Sequence, residues 1–177
     1  MKIQSKDAAQ RAKKIRLVIF DVDGVMTDGR ITIDDNGIES KSFNVRDGHG
    51  IKMLARAGIQ CAIVTGRTSR VVEHRAKELG IQHIRQGTLN KSEVTDLLLN
   101  EIGVEPQEAA FMGDDLVDIP AMNLVGLSVA PSDAVSEVAE RVDVISDFAG
   151  GHGAVRELCE FILKARGLWE QATGRYK

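Results

Sequence analysis

Residues 17–29 read Leu-Val-Ile-Phe-Asp-Val-Asp-Gly-Val-Met-Thr-Asp-Gly, four apolar side chains that run straight into an acidic turn. A short apolar run rich in β-branched residues marks a strand buried on both faces. Two aspartates directly after it put charge at the strand's carboxyl end, which is where ligands bind in an open α/β sheet. Residues i and i+2 of an extended chain point to the same side, so Asp21 and Asp23 can address one point in space.

The pattern recurs outward from this stretch. Apolar runs at 59–64, 83–85, 109–112, 127–130 and 143–145 alternate with helical-period segments at 49–57, 69–79, 92–102, 117–124, 134–140 and 154–165. This alternation predicts an α/β fold, a three-layer sandwich on a parallel Rossmann-like sheet. Asn90, with Glu93 three residues on, is a capping signal for the third helix. Residues 30–45 break the alternation and predict a small β-hairpin inserted after the first strand, with Asn36-Gly37 in its turn. From Gly167 the periodicity fades, so 167–177 are expected as a flexible tail. No repeat or linker divides the chain, and a single domain over 1–177 is expected.

The 177 residues, 43% hydrophobic and 28% charged, suffice for a real core, which excludes disordered and fibrous classes. With 23 basic and 26 acidic residues the formal charge is −3, so neither nucleic acid nor an anionic membrane is expected as a partner. No apolar run approaches the roughly 18 residues of a membrane span, and the first residues lack the apolar core of a signal peptide. The cytoplasm is the expected compartment. Cys61 and Cys159 lie in apolar surroundings without metal-ligand spacing and are expected as buried, reduced thiols.

The chemistry collects at strand ends. After the first run come Asp21 and Asp23; after the second, Thr65-Gly66-Arg67; at a helix start, Lys91; after the fourth, Gly113-Asp114-Asp115 and then Asp118. Crowded carboxylates repel and resist joint ionisation, so a site holding Asp21, Asp23 and Asp114 calls for a hard divalent cation, Mg²⁺ above all. Thr65, the backbone around Gly66 and the Lys91 ammonium suit phosphoryl oxygens. Arg46, Arg67 and Arg75 can each grip a carboxylate with two parallel bonds.

DVDGVMTDG, VTGR, Lys91 before a helix and GDDLVDIP, in that order, resemble the four motifs of the haloacid dehalogenase-like phosphohydrolases. That resemblance covers nearly the whole chain and implies a phosphomonoesterase. Asp21 would be the nucleophile and Asp23 the acid and base; Thr65 and Lys91 would complete the catalytic set. Mg²⁺ would be held by Asp21, Asp23 and Asp114, with Asp115 and Asp118 orienting from behind. The hairpin and one helix use up the stretch between Asp23 and Thr65, so the protein is expected to be a capless member, its site covered by neighbouring subunits or by a large substrate.

Within the family, NVRDGHGI (44–51) and GGHGAVREL (150–158) resemble the tetrameric, Mg²⁺-dependent phosphatases of lipopolysaccharide biosynthesis that act on the 8-phosphate of an eight-carbon 2-keto sugar acid. By that resemblance substrate contacts would come from Asp23, Asn44, Val45, Arg46, Asp47, Gly48, Lys52, Gly66, Arg67, Arg75 and Lys91, and the protein would be a homotetramer. A nine-carbon 2-keto acid 9-phosphate, or a silent phosphate-binding module, are the alternatives. A signalling receiver domain is disfavoured by motif order, because here the third strand ends in Arg85-Gln86-Gly87 rather than in an aspartate.

Overall fold

The computed structural model describes residues 1–176. The chain opens with β1 (Lys2–Ile3) and α1 (Ala8–Ala12), then β2 (Leu17–Phe20) and a two-stranded antiparallel hairpin, β3 (Thr32–Ile33) with β4 (Glu39–Ser40). There follow α2 (Val45–Arg56), β5 (Gln60–Val64), α3 (Arg70–Leu79), β6 (His83–Arg85), α4 (Lys91–Ile102) and β7 (Ala109–Met112). The last third holds α5 (Ile119–Met122), β8 (Leu127–Ala130), α6 (Ser136–Ala139), β9 (Val144–Ile145), α7 (Ala154–Ala165) and α8 (Trp169–Thr173).

The main sheet runs β1-β9-β8-β7-β2-β5-β6, parallel throughout except that β1 pairs antiparallel with β9. Alternate side chains along the strands enter two cores. Val18, Phe20 and Ile63 face the layer of α1, α2, α3 and α7, while Leu17, Ile19 and Phe111 face α4, α5 and α6. Each fully buried side chain of this size contributes ~1.5–3 kcal/mol over its exposed state. The expected three-layer α/β sandwich is therefore the observed one, and Cys61 and Cys159 are both buried and free. The topology also explains where the chemistry falls. From β2 the chain steps to β5 and β6 on one side, and β7 lies on the other, so a crevice opens at the carboxyl end of β2.

Several boundaries differ from expectation. Helix α2 starts at Val45 rather than 49, because the Asn44 side chain accepts the Arg46 N–H at 2.8 Å and caps it. Gly48 and Gly50 weaken the local helical signal, yet both are buried where another helix comes close: a Cβ on Gly48 would lie 2.3 Å from Arg75, and one on Gly50 3.2 Å from Cys159. The expected helix over 117–124 is split into a 3₁₀ turn at Leu116–Asp118 and the short α5.

Over the described residues the tail expected at 167–177 folds instead into α8 and a 3₁₀ turn at Gly174–Tyr176, and Lys177 lies outside them. Ala172 is buried, Lys164 sits 4.7 Å over the Trp169 ring, and the Tyr176 hydroxyl meets His49 Nε2 at 2.9 Å. These contacts, supplied by α2 and α7, stabilise a segment too short to declare itself by periodicity. β1 and α1 went unanticipated for the same reason.

Candidate active site

Asp21 extends β2, its N–H donating to the Met112 carbonyl at 3.0 Å, and its side chain is almost fully buried. Lys91, the first residue of α4, places its ammonium 2.9 Å from Asp21 Oδ2 and 2.6 Å from Asp118 Oδ1. Asp118 is completely buried, and its second oxygen accepts the N–H groups of Asp114 and Asp115 at 3.0 and 3.2 Å. It thus folds the turn after β7 and anchors the lysine at once. Ligating oxygens of Asp21, Asp114 and Asp118 lie within 4.8 Å of one another.

Lys91 cannot balance three carboxylates. Burial, then the charge of Asp118, pushes Asp21 up to about 6 against the pull of Lys91. Burial, then Asp21, Asp118 and Asp115, pushes Asp114 up to about 8. For Lys91 burial works against the charged form, but Asp21 and Asp118 outweigh it and its pKa is raised. Asp21 Oδ1 and Asp114 Oδ1 are buried without a hydrogen-bond partner. Two orphaned carboxylate oxygens in a cluster short of positive charge are the donor set that a hard divalent cation takes. Gly24 has φ +85°, and a Cβ there would lie 2.1 Å from Asp114 Oδ2, so only glycine lets the turn after Asp23 come this close.

A pH signature follows. In the unfolded chain both carboxyls titrate near 3.9, so between about pH 4 and 8 the metal-free folded state binds more protons than the unfolded one, and stability falls as pH rises through that window. A cation replaces those protons. Saturating Mg²⁺ is expected to raise the melting temperature by about 5–10 °C at pH 8 and by clearly less at pH 5, where protons compete. Thermal melts with EDTA and with Mg²⁺ at both pH values check this, and a shift that is absent or independent of pH counts against a cation at these carboxylates.

Asp21, Asp23, Thr65, Gly66, Arg67, Lys91, Asp114 and Asp115 line one open cavity of about 360 Å³, with Leu89 and Val117 on its rim. The structure does not bring the other expected substrate contacts there. Asn44 caps α2 and donates to the Gly151 carbonyl at 3.1 Å. Val45 and Lys52 are exposed, and Arg46 borders a separate cavity of about 740 Å³ that holds none of the clustered carboxylates. Asp47 is buried and accepts the N–H groups of Gly153 and Arg156 at 3.3 and 2.7 Å, capping α7 from another helix. Gly48 lies beneath Arg75, whose guanidinium binds Glu78 at 2.7 Å and the Asn44 carbonyl at 3.3 Å and stacks 5.5 Å over Phe43.

Two residues beside the site were not anticipated. Lys41, just past β4, ion-pairs with Asp23 and lies 3.3 Å from Glu39. Glu39 also takes Arg67 Nη2 at 2.9 Å, while Arg67 Nε is 3.7 Å from Asp23 Oδ2. Nearby Ser69, then the cations of Arg67 and Lys41, hold Glu39 down at about 2 against its partial burial. The spacing of Glu39 and Lys41, two apart in an extended segment, was the available signal that both face one side.

Comparison with known proteins adds to this geometry. A sequence profile of the haloacid dehalogenase-like hydrolases matches residues 46–126. The 3-deoxy-D-manno-octulosonate 8-phosphate phosphatase of Escherichia coli K12 is 46% identical over 171 residues, 97% of this chain and 91% of that protein. The crystal structure of the phosphatase of the same name from Moraxella catarrhalis, in complex with a magnesium ion, a phosphate ion and a KDO molecule, superposes with a TM-score of 0.95 at 39% identity, covering 98% of this chain and all of that one. The cobalt-bound form of the Haemophilus influenzae enzyme gives a TM-score of 0.91 at 43% identity, covering 95% of this chain and all of that one.

Proposed function

The chain belongs to the haloacid dehalogenase-like hydrolases, and from that membership we propose that it is a Mg²⁺-dependent phosphatase that converts 3-deoxy-D-manno-octulosonate 8-phosphate to the free sugar acid and phosphate, a step of lipopolysaccharide biosynthesis. The observation that carries this reading is the pair of orphaned oxygens on Asp21 and Asp114 beside Lys91, at the end of β2, in a chain so similar to one that holds magnesium, phosphate and KDO.

Mg²⁺, held by the carboxylates of Asp21 and Asp114 and the backbone carbonyl of Asp23, supplies charge that neutralises the acidic cluster and the phosphoryl oxygens. The Thr65 hydroxyl, the Gly66 N–H and the Lys91 ammonium hold those oxygens. An Asp21 oxygen forms a bond to phosphorus as the ester P–O bond breaks, and the electron pair leaves with the sugar oxygen, which takes the Asp23 proton. Asp23, now a carboxylate, takes a proton from water while the water oxygen bonds to phosphorus. The Asp21–phosphorus bond breaks, its electron pair returns to Asp21, and phosphate departs.

Arg67, which lines the cavity, suits the substrate carboxylate. Asn44 to Gly48, Lys52 and Arg75 lie outside that cavity in their own chain, which fits a homotetramer in which a neighbouring subunit completes the cover of this open site. The exposed Ile31, Ile33 and Ile38 of the hairpin support such an assembly, since apolar side chains of this size on an uncovered hairpin favour burial. No helix among the described residues is long and apolar enough to cross a membrane, and the proposed compartment is the cytoplasm, as befits a soluble sugar phosphate.

Phosphate release, with and without Mg²⁺, from the eight-carbon 8-phosphate, a nine-carbon keto acid 9-phosphate and simple sugar phosphates tests the assignment. A Mg²⁺-dependent preference for the first is expected. Broad weak activity would remove the named substrate while keeping the chemistry.

A further inference from the structure

We propose that Lys41, a residue of the hairpin insertion, is the positioning residue of the proton-transferring carboxyl of Asp23; this rests on the assignment of Asp23 as acid and base. The Lys41 side chain is only 1% exposed, although a solvated hairpin is where a lysine would normally keep its head group in water. Its ammonium is drawn inward between Asp23 Oδ1 and Glu39. Burial of a cation is sustained only by such pairing, so the arrangement is specified rather than incidental.

The geometry sorts the two oxygens of Asp23. Among the described residues Oδ1 is engaged by Lys41, whereas Oδ2 has only the Arg67 Nε, 3.7 Å away, beyond hydrogen-bond reach. Oδ2 is therefore the oxygen free to give its proton to the leaving group and then to take one from water. Glu39 fixes the device from the other end. It binds both Lys41 and Arg67, so the foot of the hairpin, the loop after β5 and the acid are tied together by ion pairs. A misplaced acid costs most where the leaving oxygen most needs its proton.

That dependence separates positioning from a merely structural role. Phenyl phosphate and p-nitrophenyl phosphate both lack a carboxylate, and phenolate, with a pKa of about 10, needs the proton far more than the stabilised nitrophenolate does. In the full-length Mg²⁺-loaded protein, Lys41→Met is expected to lower kcat/KM on phenyl phosphate by about 100-fold and on p-nitrophenyl phosphate by less than about fivefold. Lys41→Arg keeps a cation between Asp23 and Glu39, so it guards against a folding failure, and it is expected to show the same preference with a loss of about 10-fold on phenyl phosphate. Asp23→Asn is the reference and should show the same selectivity, more strongly. If Asp23→Asn is selective but the Lys41 variants lower both esters equally, the proposal is overturned while the acid assignment stands. If Asp23→Asn itself lowers both equally, the acid assignment fails and takes the proposal with it.

Discussion

Asp21→Asn is expected to remove phosphate release by about 10⁴-fold or more, as the loss of a covalent nucleophile does elsewhere, and to leave the fold intact. The amide has the shape of the carboxylate but cannot form the bond to phosphorus. Stability should not suffer, because burial and Asp118 already disfavour a charge at Asp21. Asp118, 2.6 Å from the Lys91 ammonium, remains as its partner. The metal-free variant should therefore melt at or above the wild-type temperature near pH 8. Parallel measurement of phosphate release and melting checks both halves, and retained turnover in a contaminant-free preparation would sink the nucleophile assignment.

Lys91→Met is expected to be strongly destabilising. It leaves Asp118, completely buried, without the cation that Oδ1 faces, and leaves Asp21 beside it with only repulsion. Breaking one partner out of a buried ion-pair cluster costs about 3–5 kcal/mol, a fall of about 6–20 °C in melting temperature for a chain of this size. Activity should be lost as well, since the cation that steadies phosphoryl oxygens has gone. The double variant Lys91→Met/Asp118→Asn should recover much of the stability and none of the turnover, which would distinguish uncompensated charge from lost packing. Equal melting of the single and double variants would contradict this account.

The central strands β2, β5, β7 and β8 were legible because they are buried almost throughout, where side-chain chemistry alone dictates an apolar run. The clustered aspartates were legible because they stand directly after such runs. What escaped was whatever depends on contacts between segments. Nothing near Asp47 in sequence reveals that its carboxylate caps α7, because its partners are Gly153 and Arg156. Lys41 reads locally as a solvated hairpin lysine, and only the approach of the hairpin to Asp23 turns it inward. Arg75 carries the charge for a ligand but spends it on Glu78 and the Asn44 carbonyl. For these three residues charge type was readable and destination was not.

The turn after Asp23 leans on residues far along the chain. The Gly151 N–H donates to the Val25 carbonyl at 3.0 Å, and a Cβ on Gly150 would stand 1.8 Å from the Gly24 oxygen. The acidic loop leaves the ribosome early, whereas its support emerges more than 120 residues later, on the order of 10 s at about 5–20 residues per second. A nascent or truncated chain that ends before Gly150 thus has every residue of the carboxylate cluster and the turn's own hydrogen bonds to the Val22 carbonyl, but lacks the support of residues 150 and 151 beneath the turn that brings Gly24 onto Asp114. The same late segment carries α7, whose Val155, Leu158 and Ile162 complete one layer of the core, so the support of the acidic turn and the closing of that core depend on the same stretch of chain.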